Sequence, residues 1–355
     1  MPIDKKYYVA CNIGFSSKWL ACNVNWDYQQ ETINDPMKRI EMVKSFYEYF
    51  NANFSEIYPE IPRKLTINIG EIGVHTMPKL FGCKIKYSKE VEPWALPIIP
   101  NKINPMKLRI PNIEEGLRYL TIEYEKIREQ YGRKIKVIAP DLQGPLNIAY
   151  RLCGKSIFYY IRIPSKKEIG HHIMKVITDT YIEVHKWIRK LLGERIRKAF
   201  VISECTSLYV SPHTFKEFNL KYDTMAAEEL GPILVHSCGE TTNEKLELFT
   251  QIPNFIGAEL GFGTDLKHAR KLFIGDHSNP LLIIARIDPL DMLKNNPNEI
   301  ERKVKDILSR AQGGPLMLSV LEVPYGTPKE NIIAYYTSCS ELNETPTILN
   351  IGLDI

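Results

Sequence analysis

The sequence predicts an α/β fold, a (β/α)8 TIM barrel with an N-terminal excursion, and three observations carry that expectation. After residue 130, apolar runs of strand length alternate with longer amphipathic stretches at least six times, which is the rhythm of βα units around a parallel sheet. The earlier region can supply two further units. No run is followed by a GxGxxG or phosphate-loop glycine pattern, so the barrel is preferred over a doubly wound open sheet. Barrels commonly reach 355 residues as one domain. Residues 1–355 therefore read as a single domain, irregular over 1–110 and regular over 111–355.

The irregular part opens with a candidate strand over Tyr7–Asn12. Asn34, Asp35 and Pro36 form a helix start, with proline at the first helical position and an amphipathic run to Asn51. Leu65–Ile69 is a further short strand. Phe81 to Pro97 alternates and then breaks on prolines, as a hairpin beside the core would. The regular part begins with a charged helix over Ile113–Tyr131, stopped by Gly132. Strand Ile135–Asp141 follows, then a helix from Pro145 to Gly154 and a long helix over Lys166–Leu192. Strand Ala199–Glu204 precedes a helix opened by Ser211 and Pro212. Ile233–Cys238 is the next strand, followed by a helix over Asn243–Thr250. Strand Phe255–Glu259, a short helix capped by Thr264 and Asp265, strand Leu281–Asp288, a helix over Asn298–Ala311, strand Pro315–Glu322 and a helix from Thr327 complete the series.

Composition excludes several classes. A net charge of +4 with no unbroken basic run leaves no track for nucleic acid. The basic residues near Arg189 and Arg195–Lys198 are interrupted by Glu194 and read as a solvated helix end. No apolar stretch is long enough to span a bilayer, and no signal-peptide core follows Met1. Seven scattered cysteines without a CxxC pair point to reduced thiols and a cytoplasmic location.

The strands end on Asp141, Glu204, His236 with Cys238, Glu259, Arg286 with Asp288, and Glu322. In a barrel these ends open on one face, the face that carries chemistry. Each carboxylate alone also reads as a helix cap or an arginine's partner. Residues two apart on a strand share a side, so His236 and Cys238 face one way where the chain runs out. Imidazole and thiolate suit zinc, while a packed cysteine beside a hydrogen-bonded histidine is the other reading. Glu259 ends the neighbouring strand, either as a third ligand or as the acceptor fixing the His236 tautomer. Cys205 either lines the cavity or packs as a small residue. Cys339 reads as structural and His171 with His172 as surface. Tyr159, in the run Phe158–Tyr160, either walls a ligand or packs.

Several segments resemble the uroporphyrinogen decarboxylase superfamily, and within it the cobamide-dependent methyltransferases. They are Asn68–Gly70, Leu80–Ile85, Pro93 with Trp94, Gln143–Pro145 with Gly154, Ser211–Phe218, His236–Gly239, Ile287–Pro289 and Thr327–Asn331. The resemblance implies a TIM barrel and a methyl transfer between a small molecule (a methoxylated compound, alcohol, amine or thiol) and the cobalt of a cobamide on a partner corrinoid protein. It further implies zinc on a His-x-Cys pair, here His236 and Cys238, plus a later cysteine. This chain has Leu321 and Glu322 where that cysteine falls, so either Glu259 or Glu322 replaces the thiolate, or the chain binds metal differently or not at all. Glu204, Asp288 and Glu322 are the candidates for substrate positioning or proton transfer, and Asp141, Gln143, Tyr159 and Cys205 for substrate or cofactor contact. The alternatives are a decarboxylase, although the first sixty residues lack its arginine motif, and a non-catalytic tetrapyrrole-binding barrel.

Overall fold

The computed structural model describes residues 9–57, 64–70, 72–275 and 280–340. Among the described residues, ten strands run β1 (Val9–Phe15), β2 (Leu65–Asn68), β3 (Ile85–Lys86), β4 (Trp94–Ala95), β5 (Ile135–Ile138), β6 (Phe200–Ser203), β7 (Ile233–Ser237), β8 (Phe255–Leu260), β9 (Leu282–Arg286) and β10 (Leu316–Val323). Six form one parallel ladder in the order β1-β10-β9-β8-β7-β6. β2 and β5 form a second parallel ladder, and β3 with β4 a short antiparallel hairpin, the expected excursion. The α/β class and parallel sheet are thus as expected.

A single closed eight-stranded ladder is not what the described residues form. β5 stops at Ile138 and is followed two residues later by Pro140, which has no N–H to extend a ladder. The chain instead touches β6 through one turn, where Gly144 N donates to the Ser203 carbonyl at 3.0 Å. That approach needs glycine, because a Cβ at Gly144 would lie 2.5 Å from the same carbonyl.

Local chemistry explains the helices. Asn112 caps Ile113–Tyr131 by accepting from Glu115 N, and Asp265 caps Leu266–Ile274. Asn296 and Glu299 close a capping box on Pro297–Ala311. The helix opened by Ser211 and Pro212 is broken by a π-turn over Lys216–Leu220 before it continues as Lys221–Leu230. Phe158–Tyr160 lies inside a helix, Ser156–Arg162, which the apolar run did not announce. Tyr7 and Tyr8 of the first candidate strand lie outside the described residues. None of the described helices is long and apolar enough to cross a membrane.

The ladder places the site by register. Ala10, Leu234, Ile284 and Met317 pack together on one face of the sheet, and the other face packs on the helices. Two residues beyond Leu234 and Ile284, on that same face, stand His236 and Arg286. His236 pairs with Ser203 and Glu259, while Arg286 pairs with Ser319, which pairs with Asn12. A polar layer therefore caps an apolar one at the C-terminal ends of the strands.

Candidate metal centre

The centre is built from the ends of β6, β7 and β8. Alternation along β7 turns Val235 into the core and His236 to the polar side, and Cys238 follows past the end of the strand. Glu204 N donates to the His236 carbonyl at 2.7 Å, which ties the end of β6 to β7. The chain then winds into a 3-10 turn, Cys205–Tyr209. That turn swings Cys205 toward the pair, so the ligand atoms of Cys205, His236 and Cys238 all lie within 4.8 Å of one another.

Glu259 stands opposite His236 in register, and Nδ1 of the imidazole donates to its Oε2 at 2.5 Å. This bond commits Nδ1 and leaves Nε2 for the thiols. Glu259 is thus hydrogen-bonded to the imidazole, and Cys205, rather than Glu259, joins His236 and Cys238 in the group whose donor atoms converge. Glu322 is exposed on a left-handed backbone position (φ 63°) at a register shift between β10 and β1. Leu321 packs toward Gly14.

The three donors share charge before any ion arrives. The hydrogen bond from the Cys205 thiol, aided by His236 and Arg286 and opposed by burial, pulls the Cys238 thiol down to about 4. Cys205 itself is pushed up, first by donating to Cys238 and then by burial. Burial works against protonated His236, but the Glu259 carboxylate and the two sulfurs outweigh it and raise the imidazole well above its usual value. Protons therefore rest on Cys205 and His236, and negative charge rests on Cys238. A soft divalent ion fits this set, since two sulfurs and one nitrogen converge and the nitrogen is oriented from behind.

Two predictions follow from this charge distribution. Metal uptake must displace the protons of Cys205 and His236, so affinity should tighten as pH rises, with about two protons released per ion near neutrality. Calorimetry in buffers of different ionisation enthalpy measures that number. Replacing Glu259 by glutamine should weaken zinc about 10- to 100-fold, measured by competition with a chelator. Unchanged affinity would show that the ring is held by something else.

The remaining expected residues fall into distinct roles. Asp141 accepts from Gln143 N at 2.7 Å and from Gln143 Nε2 at 2.9 Å. Asn147 donates to Gln143 Oε1 at 3.0 Å, and Thr206 N donates to Asn147 Oδ1 at 2.7 Å. Asp141 and Gln143 thus brace the turn that carries Cys205. Glu204 is sealed from solvent behind the turn, with Asn219 donating to it and Asp223 beside it, and burial lifts its carboxyl to about 8. The π-turn is what brings Asn219 there. Asp288 accepts from Leu290 N at 2.9 Å as a helix cap, and Tyr159 is 51% exposed on its helix. Sequence reasoning missed Arg151. Its guanidinium lies over the Trp94 ring at 5.3 Å and acts electrostatically on Cys205 and Asp141.

Comparisons with known proteins bear on the family and the fold. The pattern of the family described as uroporphyrinogen decarboxylase (URO-D) matches residues 67–342. A methylated-thiol–coenzyme M methyltransferase of Methanosarcina mazei is 25% identical over 270 residues, covering 74% of this chain and 69% of the relative. A solved structure of a methyltransferase from Methanosarcina mazei superposes with a TM-score of 0.67 at 18% identity, covering 96% of this chain and 95% of that one. The fold is shared with that structure, and the resemblance seen in the sequence segments holds: the chain belongs to the uroporphyrinogen decarboxylase (URO-D) family.

Proposed function

We propose that this chain is a methyltransferase on a single (β/α)8 barrel domain. It moves a methyl group between a heteroatom of a small molecule and the cobalt of a cobamide carried by a separate corrinoid protein. The observation that carries the reading is the convergence of Cys205, His236 and Cys238 at the strand ends, with Glu259 fixing the imidazole. A zinc ion held by those three residues would supply a Lewis acid that keeps a thiol ionised or polarises a leaving oxygen. The methylated-thiol relative favours sulfur as that heteroatom.

The chain's own residues divide the remaining work. Glu259 keeps the imidazole proton on Nδ1. The relay from Asp141 through Gln143 and Asn147 holds the Cys205 turn. Of Glu204, Asp288 and Glu322, the exposed Glu322 suits proton exchange with a substrate. Partial desolvation of its carboxyl raises that acid, against the opposing pull of Arg286. Seven free cysteines fit a cytoplasmic setting.

Incubation with cob(I)alamin plus methylated thiols, and with methylcobalamin plus thiols, should change the cobalt absorption spectrum in at least one direction. Cobalt spectra that stay fixed in every mixture, with zinc present in the protein, would contradict the reading. Release of CO2 from a porphyrinogen without zinc would establish decarboxylation instead.

A further inference from the structure

A cavity of about 400 Å³ shares no lining residue with the metal centre. Its walls come from the start of helix Pro36–Phe54, the chain just after β2, the short helix Thr76–Leu80 and one side of helix Ile113–Tyr131. Two ion pairs hold these pieces together. Glu123 accepts from Gly70 N at 2.8 Å and pairs with the buried Arg39, which also donates to the Asn68 carbonyl at the end of β2. Lys126 pairs with Asp35 at 3.1 Å, and Asp35 caps Pro36–Phe54 by accepting from Met37 N.

Lys79 is the cation left over. It lines the cavity, and among the described residues it makes no ion pair and no hydrogen bond. Its ammonium stands 3.9 Å from the centre of the Tyr119 ring, whose π-face attracts a cation but offers no lone pair to the N–H donors. Burial holds the amine below its usual pKa, and the Glu123 carboxylate, already paired with Arg39, offsets that only in part. Three cations, Arg39, Lys79 and Lys126, thus meet two carboxylates, Glu123 and Asp35, and one positive charge is left at the cavity wall. Ile33, Ile72 and Ile122 make much of the remaining lining apolar.

We infer that this cavity is a second ligand site, separate from the metal centre, and that it takes a small monocarboxylate with an apolar body. The carboxylate accepts charge-assisted hydrogen bonds from the Lys79 ammonium, and the hydrocarbon part lies along the three isoleucines. One uncompensated cation matches one carboxylate. A phosphate dianion would bring a second negative charge close to Glu123 and has no apolar part for the isoleucines to cover.

The test follows fluorine NMR of 4-fluorobenzoate and of its neutral isostere 4-fluorobenzamide on the full chain. The acid should bind about tenfold or more tighter than the amide. K79Q should remove that preference while shifting the amide's Kd by less than about twofold, and K79R should keep part of it. Butyrate should displace bound 4-fluorobenzoate at concentrations at which inorganic phosphate does not. Equal Kd values for acid and amide in the wild type, no binding of either, or a preference that survives K79Q would overturn the site. Phosphate competing as well as butyrate would overturn the ligand class. Neither zinc content nor methyl transfer enters these readings, so the site stands or falls apart from the proposed function.

Discussion

Replacing Cys205 by serine is expected to empty the metal centre of a folded protein. Loss of an outer partner such as Glu259 costs about 10- to 100-fold in affinity, and loss of one of only three donors should cost more than that. Zinc content should fall from about one ion per chain to a small fraction, as it should for His236→Ala and Cys238→Ala. Methyl transfer to or from cobalamin should fall in step. The fold should survive the change, since Cys205 lies on a turn braced by Asn147 and by the tie between Glu204 N and the His236 carbonyl. Circular dichroism and elemental analysis on the same sample decide the matter. A serine variant that retains zinc would remove Cys205 from the centre.

Gly261→Ala should damage the same centre from outside it. Gly261 follows β8, and its N donates to the Ser237 carbonyl at 2.8 Å. A Cβ there would sit 2.4 Å from the carbonyl carbon and oxygen of Gly239 and 2.5 Å from the carbonyl oxygen of Cys238. These are backbone atoms, so no rotamer change relieves the clash. The ends of β7 and β8 must part, at about 1–3 kcal/mol by the usual scale of overpacking, and Cys238 moves with them. Zinc affinity should drop about tenfold or more, on the scale of lost metal-supporting contacts. Gly239→Ala is the control, because its added methyl meets the Leu208 side chain at 2.4 Å. Leu208 is partly exposed and can swing aside, so the control should keep most of its metal. Denaturant melts and chelator competition on both variants test the contrast.

How much of this was legible in the sequence depends on what kind of structure held each residue. β7 through β10 were readable because apolar runs bounded by glycine, proline and charge have few other uses. Period two then put His236 and Cys238 on one side, with Glu259 at the end of the neighbouring strand, while the pairing of His236 with Glu259 comes from a ladder whose register shifts between Ile233 and Leu234. Closure of the ladder was not readable. It depends on where β5 ends, and Pro140 with Gln143 (φ 63°) diverts the chain toward β6 in a single contact. Cys205 was visible as a strand-end cysteine, but the 3-10 turn decides its direction, and alternation stops with the strand. The pairing of β6 beside β7 was the available signal, since it puts any residue just past Ser203 near His236. Glu204 shows the opposite case. One position earlier, the same turn points it inward to Asn219 and Asp223, whose approach depends on a π-turn that no simple periodicity announces. Arg286 was plain as a strand-end residue, but its approach to Glu259 Oε1 at 3.6 Å depends on the fold of the neighbouring strands.

The identity of the third donor is the centre of the account, and X-ray absorption at the zinc edge of the loaded protein tests it most directly. Two sulfur scatterers at about 2.3 Å and one nitrogen at about 2.0–2.1 Å are expected, with one sulfur lost in the Cys205→Ser variant. A single sulfur in the wild type, or a spectrum that Cys205→Ser leaves unchanged, would contradict it.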